Sequence, residues 1–153
     1  MMQYLLVSIA AFLGVFCGFT IACMAEEELK LGRKYFNWLR HGLFVVILAI
    51  FFYHNQSVIF FMFVPAIIIV MSFSKEREAL YYYALAPIMF LSYLYNGFLS
   101  IATLVFLYGF PVGTLHREAH LKEHWKKSVK GIIYAYGGFF ILNIAFSALQ
   151  LSL

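Results

Sequence analysis

The chain contains no aspartate and carries few charges of either sign. Its seven acidic residues are all glutamates, and only 12% of its 153 residues are charged, about half the usual share in a soluble protein. The aspartate-rich magnesium motifs of prenyl and CDP-alcohol transferases are therefore excluded. The sequence also lacks GxSxG, HExxH, GxGxxG and the phosphate-binding loop motif, so it contains no recognisable catalytic signature.

The apolar fraction is high. Hydrophobic residues make up 64% of the chain and aromatic residues 20%, which leaves too few polar groups to cover the surface of a soluble domain. Lipid must form part of its surroundings. We therefore predict a single all-α domain over residues 1–153, a polytopic integral membrane protein. No feature indicates binding to nucleic acid.

Only two cysteines are present, Cys17 and Cys23, and both fall inside the first apolar run. Their spacing fits neither a CxxC redox pair nor a zinc site. The residues TIAC before MAEEE resemble a bacterial lipobox. No lysine or arginine precedes the run, however, whereas a signal peptide begins with a basic segment. We therefore expect this run to be a retained membrane span.

Six apolar runs predict six transmembrane helices, since the bilayer core needs about 20 helical residues. The predicted spans are residues 4–25, 35–54, 58–73, 79–94, 98–115 and 132–152, and the predicted cytoplasmic connections are residues 26–34, 74–78 and 116–131. All eleven lysines and arginines and all seven glutamates fall in the first, third and fifth separators between the apolar runs. Cations favour the cytoplasmic side, so both termini are expected outside, in the plasma membrane of a prokaryote. Four spans with a re-entrant pair is the alternative.

Small and cyclic residues predict how the helices pack and bend. Prolines fall inside the third, fourth and fifth spans, where they are expected to kink the helices: Pro65, Pro87 and Pro111. Two small-xxx-small patterns and one buried amide are expected to hold helices together: Gly14, Gly18, Gly109, Gly113 and Asn143.

The second apolar run is too short to cross a bilayer by itself, and its helix must extend back to about Tyr35. This extension draws Arg40 and His41 inside the cytoplasmic headgroup boundary. Arg40 then either reaches back to the interface, as long cationic side chains do, or faces the bundle and pairs with a glutamate or a lipid phosphate.

Opposite charges gather at the predicted cytoplasmic side and indicate an ion-pair network or a lipid-headgroup surface. The residues expected there are Arg40, His41, Glu26, Glu28, Arg33, Lys34, Arg117, Lys126 and Lys127. The three glutamates at the end of the first span would oppose the dipole of that helix. They need either a new helix that starts at about Ala25 or cations from the other connections.

Histidines recur every fourth residue in the stretch HREAHLKEHW. On a continuous helix, His116, His120 and His124 share one stripe, and the opposite face carries Leu121, Trp125 and Val129. One interpretation is a basic amphipathic helix at the membrane surface. The other is a zinc or iron site, in which at most two of the histidines bind one ion, since the stripe spans about 12 Å. The residues considered for the metal are His116, His120, His124, Glu123 and Glu27.

Three hypotheses for function remain open. The first is a non-catalytic membrane subunit or lipid-associated module, which would contact anionic headgroups on the cytoplasmic side and either a protein partner or a second copy of itself. The second is a metal-dependent membrane enzyme that acts on a lipid at the cytoplasmic leaflet. The third is a small transporter or channel. Whether the protein is an enzyme is left undecided by the sequence.

Overall fold

The structure, a computed structural model, describes residues 2–55, 77–121 and 124–149. These residues form five α-helices and short turns: α1 (Met2–Met24), α2 (Glu26–His54), α3 (Arg77–Leu94), α4 (Phe98–Ala119) and α5 (Trp125–Leu149). The predicted third span, residues 58–73 with Pro65, lies outside the described residues. The all-helical prediction is confirmed for the part of the chain that is described.

Four of these helices, α1, α2, α4 and α5, are long and apolar enough to cross a membrane. The 23 residues of α1 extend about 34 Å at 1.5 Å per residue, against a hydrocarbon core of about 30 Å. The apolar part of α3, Ala79–Leu94, is shorter. The fold is therefore consistent with a multi-pass, all-helical membrane protein.

A single residue, Ala25, separates α1 from α2. Its amide donates to the carbonyl of Ile21, and its own carbonyl accepts from the amide of Glu28, both at 3.1 Å. The three glutamates consequently occupy the first turn of α2, where the helix dipole favours negative charge. The structure has both of the expected ways of accommodating these carboxylates, since a new helix starts at this junction and Arg117 of a later connection pairs with Glu26.

Contacts between helix termini define two ends of the bundle. At one end Arg117, near the end of α4, contacts Glu26 at the start of α2 and Ser128 in the second turn of α5. At the other end Tyr4 near the start of α1 lies with its ring 5.6 Å from that of Phe98, the first residue of α4. Helices α1 and α4 are therefore parallel. We call these the charged end and the uncharged end.

The closest helix pair is α1 with α4, and glycine makes their approach feasible. A Cβ atom added to Gly14 or Gly18 would lie 2.1 Å from the carbonyl oxygen of Phe106 or Phe110, respectively. On the facing helix, a Cβ atom at Gly113 would lie 2.0 Å from the carbonyl oxygen of Val15. The two small-xxx-small patterns, including Gly109, thus face each other, and backbone packs directly on backbone.

Asn143 joins helices at the uncharged end. The side-chain carbonyl of this buried residue accepts a hydrogen bond from the Tyr4 hydroxyl, and its amide donates to the carbonyl of Phe139 at 2.8 Å. The Tyr4 ring also packs on Tyr93, with centroids 5.1 Å apart. A polar pair surrounded by aromatic rings therefore ties α1 to α3 and α5.

Buried tyrosines fill the interior between this pair and the charged end. Tyr82, on α3, is fully buried, and its ring centroid lies 5.6 Å from that of Tyr136 on α5 and 6.2 Å from that of Tyr108 on α4. Tyr83 donates to the carbonyl of Ala135 at 2.6 Å. Aromatic contacts of this kind hold α3, α4 and α5 together in the bundle interior.

The helix boundaries differ from those expected at two connections. The predicted connection 26–34 is the first part of α2, and the predicted connection 116–131 is largely taken up by the end of α4 and the start of α5. A helix satisfies its own backbone hydrogen bonds in lipid and in water alike, so it can continue past the apolar boundary. Pro87 and Pro111 lie inside uninterrupted helices, α3 and α4.

The α1–α4 contact predicts a clear contrast between two glycine substitutions. Gly18→Ala places a methyl group against the Phe110 carbonyl and should lower stability by about 1–3 kcal/mol, the usual cost of overpacking. The matched control is Gly42→Ala on α2, because a Cβ atom there has no described residue within 4 Å; it should be neutral or stabilising by up to about 1 kcal/mol. Unfolding in detergent measures both, and equal stability of the two variants would contradict the packing.

Candidate functional site

In the described part of the chain, charged residues are concentrated toward the charged end, and Arg40 lies deepest in the bundle. Among the described residues, lysine, arginine and glutamate occur only in the first half of α2, the start of α3, the end of α4 and the start of α5. Ionised groups are costly in hydrocarbon, so they collect where the helices leave it. The charged end is therefore where polar chemistry is concentrated, and the candidate site lies there.

Arg117 is the central residue of this end. Although charged, it is only 6% exposed. Its Nε and Nη2 atoms both donate to the same oxygen, Oε1 of Glu26, with an Nε–Oε1 distance of 3.1 Å. Its Nη1 atom lies 3.4 Å from Oγ of Ser128 and 3.5 Å from the carbonyl oxygen of His120, and the guanidinium lies 6.0 Å from the centre of the Phe19 ring. We call these five residues the Arg117 cluster.

The Arg117 cluster connects the α1–α2 junction with the end of α4 and the start of α5. The guanidinium is the buried partner of the ion pair, with 7% of its side chain exposed, whereas the Glu26 side chain is 45% exposed. A buried cation is tolerated only when its donors are used. The hydrogen bonds of Arg117 meet that requirement and at the same time fix the relative position of the helix ends.

A second ion pair, between Arg33 and Glu118, has a different environment. Its Nη1–Oε1 distance is 3.5 Å, and the Arg33 side chain is 64% exposed. Exposed pairs of this kind contribute less than about 1 kcal/mol. The pair lies beside the Arg117 cluster. It contributes little to the stability of the fold, and its charges belong to the surface.

The three histidines of the HREAHLKEHW stretch do not share one helical stripe. Helix α4 ends at Ala119, and α5 begins at Trp125, so the expected continuous amphipathic helix is divided in two. The first two rings remain together on α4 and its C-cap: those of His116 and His120 stack with centroids 4.5 Å apart. The stripe is broken because the His120 backbone closes the last turn, its amide donating to the carbonyl of Arg117.

His124 has a capping role at the start of α5. Its ring Nδ1 accepts from the amide of Lys126 at 3.4 Å, and its carbonyl accepts from the amides of Lys127 and Ser128 at 2.8 and 3.3 Å. These contacts satisfy amides that a helix start otherwise leaves without partners. Because Nδ1 accepts, the neutral ring carries its proton on Nε2.

Of the residues considered as metal ligands, the described part of the chain brings His116 and His120 into contact. Within residues 2–55, 77–121 and 124–149, no three His, Cys or Glu side chains form a group that could hold a metal ion. A metal ion lies in the plane of each imidazole that binds it, whereas the rings of His116 and His120 are stacked at 27°. Nδ1 of His120 is also 2.9 Å from the carbonyl oxygen of His116. Glu27 is exposed in the first turn of α2, and Glu123 lies outside the described residues.

Arg40 faces the bundle, which was one of its two expected positions. It is 8% exposed and lines a small void of about 10 Å³ together with Phe44 and Tyr108. Its neighbour His41 is exposed and lies with Nδ1 2.7 Å from the carbonyl oxygen of Asn37. The remaining residues expected at this surface are exposed on α2 and α5: Glu28, Lys34, Lys126 and Lys127.

A cavity of about 630 Å³ opens beside the Arg117 cluster, between α1, α4 and α5. Glu26, Arg117 and His124 line its polar part. The rest of the wall is formed by residues that the sequence did not mark as a site: Phe16, Phe19, Thr20, Cys23, Trp125 and Val129. From the sequence, helical spacing predicts only that Trp125 and Val129 share an apolar face. That this face lies opposite α1 is known from the structure.

Comparisons with known proteins give no family for this chain. No protein-family model matches it, and no curated protein or solved structure matches it. The class defined by the fold, a multi-pass all-helical membrane protein, therefore rests on the helices themselves. The function has to be argued from the charged end.

The two ion pairs predict unequal effects of removing one charge. Glu26→Gln leaves the buried Arg117 guanidinium without its carboxylate and should lower stability by about 1–3 kcal/mol, toward the lower figure because Glu26 is partly exposed. Arg33→Gln removes only the exposed partner of Glu118 and should cost less than about 1 kcal/mol. Unfolding of both variants in the same detergent gives the comparison. An equal loss in the two would show that Arg117 does not organise this end.

Proposed function

We propose that the protein is a six-span, non-catalytic membrane module whose charged end lies at the cytoplasmic surface and binds anionic lipid headgroups. The observation that carries this proposal is that the buried charge of Arg117 is paired within the protein, whereas lysines at this end are exposed. Buried Arg117 holds helix ends together through Glu26, whereas lysines on α2 and α5 are exposed to the surroundings: Lys30, Lys34, Lys126, Lys127 and Lys130.

The excess of positive charge gives this end its preference for anions. The chain has a formal net charge of +4, and the lysines and arginines among its described residues lie in the first half of α2, at the start of α3, at the end of α4 and at the start of α5. A lysine or arginine near an anionic membrane surface contributes about 1 kcal/mol of attraction. Exposed Trp38 and Tyr35 on α2 are residue types that prefer the headgroup region, which supports the same position for this end.

Six spans are supported by the positions of the helix ends. His54, the last residue of α2, lies beside Gly97 at the uncharged end. Helix α3 ends at Leu94, just before Gly97, and its 18 residues extend about 27 Å back from the uncharged end; on the way the ring of Tyr81 lies 5.2 Å from that of Phe44, near the middle of α2. The end of α2 and the start of α3 are thus on opposite sides, and the apolar run 58–73 between them has the composition for a crossing.

The orientation predicts which positions a membrane-impermeant maleimide can reach in intact cells. In a Cys17→Ser/Cys23→Ser background, Asn96→Cys, in the exposed turn before α4, should be labelled from outside. Lys34→Cys, exposed on α2, should be labelled only after the membrane is opened. If Lys34→Cys is labelled in intact cells and Asn96→Cys is not, the orientation is the opposite of the proposed one.

Lipid preference is the direct measure of the proposed function. Replacing Lys30, Lys34, Lys127 and Lys130 together by Gln should remove most of the enrichment of phosphatidylglycerol over phosphatidylcholine around the protein in mixed vesicles, since each cation contributes about 1 kcal/mol. Native mass spectrometry of protein released from the vesicles measures the enrichment. The matched control, His54→Gln at the uncharged end, should leave it unchanged.

No enrichment in the unmodified protein would overturn the proposal. Undiminished enrichment after the fourfold replacement would also contradict it, because the four replaced lysines would then not be its source. Raised salt provides an independent check, since attraction between exposed charges is screened over about 10 Å at 0.1 M.

A further inference from the structure

We propose that the cavity beside the Arg117 cluster is a binding site for one anionic glycerophospholipid, with the phosphate at Lys126 and His124 and the start of an acyl chain along α1. This inference rests on the proposed function and makes it specific. Exposed lysines attract a layer of anionic lipids, whereas this cavity would select and hold a single lipid molecule.

The polarity of the cavity changes along the bundle axis. At the charged end its wall carries Glu26, Arg117 and His124, and deeper in the bundle it carries Phe16 and Val129. On α1 the wall runs from Cys23 back to Phe16, about 10 Å along the helix at 1.5 Å per residue. A ligand that fits this wall is polar at one end and apolar over the rest, which is the form of a membrane lipid.

The size of the cavity is that of a ligand site. Its volume of about 630 Å³ lies within the range of about 300–1,000 Å³ typical of pockets that bind small molecules. Trp125 forms part of the wall where the polar and apolar parts meet. Indole rings favour this level of a membrane because one edge is polar and the face is apolar.

The charges around the cavity favour an anion. The carboxylate of Glu26 is offset by Arg117, whose Nε and Nη2 atoms both donate to it. Nδ1 of His124 accepts the Lys126 amide, which leaves Nε2–H as a donor. Lys126 carries its Nζ atom 5.7 Å from the centre of the Trp125 ring on the cavity wall. The balance of these groups is positive, and a lipid phosphate complements it.

Cys23 provides a reporter inside the cavity. It is a free, half-buried thiol on the wall, whereas the other free thiol, Cys17, does not line the cavity. A Cys17→Ser variant therefore reports on the cavity through the rate at which Cys23 reacts with a small maleimide. A Cys23→Ser variant reports on Cys17 in the same way and serves as the control.

The experiment measures these rates in phosphatidylcholine nanodiscs with and without phosphatidylglycerol. We expect phosphatidylglycerol to slow the labelling of Cys23 about tenfold, the factor that nine-tenths occupancy would give, and to leave Cys17 unaffected. Soluble glycerol phosphate, which has no acyl chains, should not protect Cys23. Protection by glycerol phosphate alone would assign the site to a free phosphate compound and overturn the lipid proposal.

Two charge reversals separate this site from general surface attraction. Lys126→Glu and Lys34→Glu change an exposed residue and alter the net charge equally, but only Lys126 adjoins the cavity wall. The site predicts that Lys126→Glu abolishes the protection and that Lys34→Glu preserves it.

If both weaken protection equally, the exposed lysines act together and the discrete site is rejected, while the proposed function stands. If Cys23 is unprotected and the vesicles show no phosphatidylglycerol enrichment, both proposals fail.

Discussion

The direct contact between the backbones of α1 and α4 is the constraint on which the charged end depends. Gly14 and Gly18 face Gly109 and Gly113, so in the observed register no side chain separates the two backbones at these positions. That register brings the end of α4 to the α1–α2 junction and so places Arg117 against Glu26. The ion pair is a consequence of the glycines, and the cavity is in turn what remains open between α1 and α5 beside that pair.

The sequence predicts which segments are helical and apolar, but it does not predict which residues of different helices contact each other. The all-helical fold and its apolar helices follow from composition and run length, because lipid leaves the backbone no other way to satisfy its hydrogen bonds. Asn143 could be singled out as a buried amide that needs a partner, whereas Arg117 was one of nine residues expected in an ion-pair network or lipid-headgroup surface. Their actual partners, Tyr4 and Glu26, lie far away along the chain, and helical periodicity says which face a residue occupies but not which helix that face meets.

The histidines show the same limit at one site. Their regular spacing treats His116, His120 and His124 as equivalent, yet the first is buried, the second stacks on it, and the third caps another helix. What divides them is the end of α4, and helix ends are poorly marked in a stretch with neither glycine nor proline. The apolar face of Trp125 and Val129 was recognisable from spacing, whereas its completion by Phe16 and Phe19 was not.

The order of synthesis gives the α1–α4 contact a further consequence. Helix α1 packs only sparsely on α2, its neighbour along the chain, and most extensively on α4. Among the described helices, the glycine face of α1 therefore meets its matching surface only once α4 has been made, after α2 and α3. The bundle closes only after Ala119 has emerged, so assembly is a late, long-range event and not a succession of hairpins.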